Sequence, residues 1–187
     1  MLCAMTDLYL PRPTTGDVVD LILDDHRLFE DLLRQLRDAT ADREAARSAL
    51  AAVLVAHGEA EEAEVYPALV RKDAIGAGEA EHGEHEHAEG NQALLALLEC
   101  RATDTQKFDD AVEELATALN HHIGEEEQTI LNPARTDVDE ATRAKLGLAF
   151  ATARNQQLDG DPGAIDNVRR IVERDQRQGK LDDDEQD

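Results

Sequence analysis

The chain has 187 residues, 41% hydrophobic but only 3% aromatic and without Trp; that length buries a core without disulfides, and that composition favours helices over sheets. Its 19 basic and 42 acidic residues leave a net charge of -23 and a pI near 4.5. Such a field repels phosphate backbones and anionic membranes, which excludes nucleic acid and membrane surfaces as expected partners.

Pro11 and Pro13 disfavour helix in the residues before them, so an irregular arm is expected over 1–16. Met1 to Pro13 lacks the basic start and apolar stretch of a signal peptide, and no apolar run approaches the roughly 18 residues of a membrane helix. Cys3 and Cys100 match no metal or redox spacing. A cytoplasmic protein is expected. Thr15 or Asp17 can cap a first helix to about Arg37, with Val19, Ile22, Leu23, Phe29, Leu33 and Leu36 on one face. A second helix is expected from about Arg43 to Val70, with Leu50, Val53, Leu54 and Val65 inward and Pro67 bending its end. A turn with two glycines leads to a third helix, from about Glu79 to Glu99 or Arg101. Thr103 or Asp104 then caps a fourth, which stops before Pro133. Its stripe is the most regular: Phe108, Val112, Leu115, Leu119, His122, Glu126 and Ile130. A fifth helix should run from about Asp137 to Gln157, followed beyond a Gly/Pro break by a weakly amphipathic segment from Ala164 to Gln178.

Short turns between long helices make sequential neighbours antiparallel. The expected fold is all-α: an up-down-up-down four-helix bundle over 17–133, with additional C-terminal helices over 134–178. Those helices pack outside the bundle or meet a partner, and 179–187 reads as an acidic, unstructured tail. No internal repeat is read beyond the four-helix rhythm.

All 7 histidines lie between residues 26 and 122, and each of the four expected bundle helices carries at least one. His26 falls on the stripe of Ile22, Leu23, Phe29 and Leu33. His57 follows Val53 and Leu54, and Glu61 comes one turn later on the same face, so an imidazole and a carboxylate stand side by side. Burying an unpaired carboxylate is costly, so Glu61 needs a counter-charge such as a metal. Glu59, Glu62 and Glu64 read as a solvated face. His122 and Glu126 repeat the pattern on the fourth helix. His121 is a supporting or surface position, and Glu127 can substitute only if the helix is locally unwound. On the third helix His87 shares a face with Asn91, Leu94 and Leu98, with Glu84 or His82 as companion and His82–His85 as a competing pair. The inward set is thus His26, His57, Glu61, His87, His122 and Glu126. Nitrogen and oxygen donors without thiolates suit iron, with manganese or zinc also accommodated, and two carboxylates that can bridge suit a metal pair. Water or an exogenous ligand must complete the coordination.

The runs Asp24–Asp25–His26, His57 to Glu61 followed by Tyr66–Pro67, Glu86–His87, and His121–His122 followed by three glutamates before Pro133 resemble the hemerythrin-like HHE cation-binding domains. The resemblance spans Asp17 to about Pro133. It implies a non-haem di-iron centre, two oxo- or hydroxo-bridged iron ions spanned by Glu61 and Glu126. It also implies dioxygen or a related species such as peroxide as ligand, in sensing, scavenging or storage. On the third helix the family pattern expects two histidines four apart, and Gly83 stands where the first would be. One iron then has fewer histidines, or a substitute in Glu84, His82, His85 or Tyr66, and Tyr66 reads first as a buried tyrosine hydrogen-bonded within the core. Fewer histidines favour the ferric state and weaken reversible oxygen binding. A second reading is a catalase-like, peroxide-decomposing enzyme at the same centre. A third is an acidic helical interaction domain whose histidines are core residues without metal.

Overall fold

The structure is a computed structural model that describes residues 8–181. Cys3 and residues 182–187 of the expected tail lie outside them; its first residues, Gly179 to Leu181, are not unstructured as expected, because Lys180 pairs with Glu62 and Glu84 and Leu181 is buried. Every regular element among the described residues is helical.

Helix α1 (Val18–Arg37) starts where the Asp17 side chain accepts from Val19 N, and α2 (Arg43–Ala60) where Asp42 accepts from Ala45 N. Each such cap is worth about 1 kcal/mol. α2 runs into a π-helical turn, Glu61–Val65, and continues as α3 (Tyr66–Arg71). Pro67 lies in the first turn of α3, directly after the widened turn. α4 spans Ala77–Leu98 and α5 spans Gln106–Glu126. The cap of α5 is Thr105, accepting from Phe108 N, rather than Thr103 or Asp104.

The fourth helix does not stop before Pro133. A second π-helical turn, Glu127–Leu131, leads into α6 (Asn132–Asp137), and Pro133 again occupies a first turn. The next helix, α7 (Glu140–Leu158), therefore begins later than expected, capped by Asp139, because Asp137 closes α6. α8 (Ile165–Arg177) buries Val168, Ile171, Val172 and Asp175 along one side, a clearer amphipathic face than its sequence led us to expect.

α1 packs on α2 and α5, and α4 packs on the same two, so the four long helices close a ring of contacts. α7 packs against α2 and α1, and α8 against α4. One apolar cluster gathers Phe29, Leu36, Leu50, Leu94, Phe108 and Leu115; the other gathers Val19, Ile22, Leu69, Ile130, Leu131 and Phe150. Along α1 and α2 the inward histidines lie between the residues of these two clusters, which makes a polar layer in an apolar interior. Cys100 is buried and free. Among the described residues no helix is long and apolar enough to cross a membrane.

Candidate metal centre

The polar layer is built from His26 on α1, His57 at the end of α2, Glu61 opening its wide turn, His87 on α4, and His122 and Glu126 on α5, all buried. Glu61 Oε2 lies 3.0 Å from His57 Nε2 and 3.2 Å from His87 Nε2. Glu126 Oε2 lies 3.1 Å from His26 Nε2 and 3.7 Å from His122 Nε2. Two overlapping sets result, His26–His57–His122–Glu126 and His57–Glu61–His87–His122, and within each the ligand atoms lie within 4.8 Å of one another. Either set can hold a metal ion.

Most of the atoms facing this chamber lack hydrogen-bond partners. Both Glu61 oxygens, Glu126 Oε2 and the Nε2 atoms of His26, His57 and His122 are buried without one. Carboxylate oxygens buried without donors are costly, and a cation coordinated by nitrogen and oxygen removes that cost. The donors present therefore fit a metal.

The outer nitrogens are all satisfied. Nδ1 of His57 donates to Asp25 at 3.1 Å, His87 to Glu62 at 3.1 Å, His122 to Glu86 at 3.2 Å and His26 to Glu127 at 3.1 Å. In every case the acid comes from the preceding helix of the ring or the turn that ends it, taken in the order α1, α2, α4, α5 and back to α1. A carboxylate only accepts, so it keeps the proton on Nδ1 and turns Nε2 toward the chamber, the usual preparation of a metal-binding imidazole. The two π-helical turns make this possible on α2 and α5, because each brings consecutive glutamates, Glu61–Glu62 and Glu126–Glu127, to bear on imidazoles of the layer.

Charge reinforces the arrangement. Burial pushes the His57 pKa down, but the Glu61 charge and the Asp25 hydrogen bond outweigh it and raise the group to about 9. Burial likewise opposes His87, and Glu61 and Glu62 raise it to about 10. Burial disfavours the Glu61 charge as well, yet His57 and His87 hold its carboxyl well below the usual carboxylate range.

Of the four candidate substitutes on or near the third helix, the structure brings only Tyr66 to the chamber. Its hydroxyl donates to Glu126 Oε1 at 2.8 Å and approaches His87 Nε2 at 3.4 Å, while its ring stacks on His87. A Cβ at Gly83 would stand 3.0 Å from the Tyr66 ring and hydroxyl. The glycine that replaces the expected histidine thus makes room for the phenol. Burial and the charges of Glu126 and Glu61 hold the Tyr66 pKa well above its ordinary value, so the hydroxyl keeps its proton.

Glu84 instead pairs with Lys180 Nζ at 2.8 Å, His85 Nδ1 donates to the Lys180 carbonyl at 2.6 Å, and His82 groups with Glu86 and His121. Glu62 is not part of a solvated face, since it accepts from both His87 and Lys180. Glu59 is likewise paired, with Arg174 on α8. Glu127 reaches His26 through the locally widened turn.

Sequence reasoning missed Asp25, Glu62 and Glu86 as supporting acids. The available signal was a repeat: Asp25–His26 then His57…Glu61–Glu62, and Glu86–His87 then His122…Glu126–Glu127. The Asp/Glu–His and His…Glu–Glu pattern thus recurs once in each half of the four-helix rhythm. A family model, hemerythrin HHE cation binding domain, matches residues 17–133. No curated protein and no solved structure matches the chain.

Proposed function

The chain belongs to the hemerythrin HHE cation-binding domain family, and from that premise we propose that it is a non-haem di-iron protein that binds dioxygen or a related small oxygen species for sensing, scavenging or storage. We read 17–133 as an up-down-up-down four-helix bundle, 134–178 as a helical extension packed on it, and the cytoplasm as its compartment. In this reading His26, His57, Glu61, His87, His122 and Glu126 are the protein ligands, and Glu61 and Glu126 each serve both ions. The observation that carries it is a pair of adjoining ligand sets, one containing Glu126 and the other Glu61, with partnerless Nε2 and carboxylate oxygens buried among them; that the two carboxylates serve both ions rests on the family reading. A pair of irons held there supplies two-electron redox chemistry toward oxygen species. The protein's own part is to orient four imidazoles through their Nδ1 carboxylates, to keep the chamber apolar above and below, and to hold a proton on Tyr66.

Metal content per chain on protein expressed with iron, paired with its absorption spectrum, tests the proposal. About two irons per chain with the near-ultraviolet bands of a bridged ferric pair are expected. Absence of metal after anaerobic ferrous reconstitution overturns it and leaves a helical interaction domain.

The Tyr66 hydroxyl favours a second reading, decomposition of peroxide. It is the one proton-bearing hydroxyl described at the chamber, hydrogen-bonded to Glu126 and close to His87, and so placed to give and take back a proton. Vigorous oxygen release from added peroxide, lowered at least about ten-fold in Tyr66→Phe with iron content unchanged, distinguishes it from simple binding.

A further inference from the structure

We propose that His82, Glu86 and His121 form an outer site for one divalent transition-metal ion of tetrahedral preference, with Zn2+ as the reference ion, sharing the Glu86 carboxylate with His122 of the inner centre. His82 and Glu86 stand one turn apart on α4, and His121 faces them from α5. The two imidazoles are surface groups, with side chains 52% and 60% exposed, whereas the Glu86 side chain is only 3% exposed. Its two oxygens face different neighbours. Oε2 accepts from His122 Nδ1 at 3.2 Å, while Oε1 is buried without any hydrogen-bond partner. That second oxygen lies 3.5 Å from His82 Nε2 and 3.4 Å from His121 Nε2, and all three atoms lie within 4.8 Å of one another.

The two separations from Oε1 match the edge of a tetrahedral coordination. Two ligand atoms each about 2.1 Å from a tetrahedral ion stand about 3.4 Å apart, whereas ligands at right angles around an octahedral ion stand about 3.0 Å apart. Two imidazoles and one carboxylate suit zinc and its neighbours and reject calcium and magnesium, which prefer all-oxygen shells. The exposed side leaves a fourth position for water. Occupancy satisfies the orphaned Oε1, and it puts a cation one carboxylate away from His122. The net charge of -23 favours approach of cations to the protein as a whole. The assignment stands on these three side chains and does not require iron in the chamber.

The test uses the full chain loaded with iron, freed of excess metal and titrated with Co2+. One additional ion per chain is expected, with the intense visible absorption of four-coordinate Co2+. Replacing both exposed groups, His82→Ala with His121→Ala, should remove that absorption and weaken uptake of the additional ion at least ten-fold, with iron content and helicity unchanged. No additional ion in the unaltered chain, or equal uptake by the double variant, overturns the proposal. If the chain retains no iron, total Co2+ uptake by the metal-free proteins decides: the unaltered chain must exceed the double variant by one ion, and equal totals overturn the outer site. Failure of the di-iron reading is thereby kept separate from failure of this one.

Discussion

Arg154 on α7 grips Asp25 on α1 with two donors, Nε on Oδ2 at 2.6 Å and Nη2 on Oδ1 at 2.7 Å, and the same Oδ2 accepts from His57 Nδ1. Arg154 is fully buried and lies beyond the residues matched by the family model. A helix outside the matched region therefore anchors the acid that orients an inward histidine. Phe150, one turn earlier on α7, adds an edge-to-face contact with the His57 ring at 5.8 Å.

Removing the guanidinium strands Asp25 in the interior. Arg154→Met should cost roughly 3–5 kcal/mol, as expected when one partner of a buried ion pair is lost. Arg154→Lys should recover only part, because an ammonium cannot reproduce the two-donor grip. The midpoint of urea unfolding checks both, and a wild-type midpoint in Arg154→Met would show the pair to be dispensable.

Gly83 and Tyr66 should behave as a coupled pair. Gly83→Ala drives a methyl to 3.0 Å from the phenol and should cost about 1–3 kcal/mol through overpacking. In a Tyr66→Leu background that cost should largely vanish. A double-mutant cycle by chemical denaturation measures the coupling; additive effects would mean that the ring does not occupy the space beside Gly83.

The two proposed bridging carboxylates set the metal content. Glu61→Ala and Glu126→Ala should each lose at least one iron per chain, whereas His121→Ala should retain the inner metal. Metal analysis of the three purified variants decides, and equal iron in all three contradicts the ligand assignment.

Acidity gives a fourth expectation. His57 at about 9 and His87 at about 10 both lie above the ordinary imidazole value of 6.5. Their contribution to folding is fully present below about pH 6.5 and is lost as pH rises through 9 to 10. The metal-free chain should therefore lose at least roughly 5 kcal/mol of stability between about pH 6.5 and 10, the two groups sharing Glu61 and so not adding in full. A bound metal displaces these protons, so the loaded chain should lack that decline and should release protons on loading at pH 7. Thermal melts from pH 6 to 10 with and without metal, and proton release in weak buffer, check the sign.

Helical spacing alone determined that His26, His57, Glu61, His122 and Glu126 face inward, because residues three and four apart on a helix share a face whatever surrounds it. The same regularity made the all-helical class and the main turns legible. Boundaries near prolines were less so. Whether Pro67 and Pro133 end a helix or open its next turn depends on the widened turn before each, and that same widening brings Glu62 and Glu127 to His87 and His26. The third helix was ambiguous because Glu84, His82 and His85 are chemically able ligands; only packing against Tyr66, Lys180 and α5 separates them. Arg154 meets Asp25 across 129 residues of sequence, and no local periodicity encodes such a contact. Periodicity decides which face of a helix turns inward, but the partner it meets there is set by packing between distant segments, and only the tertiary structure determines that.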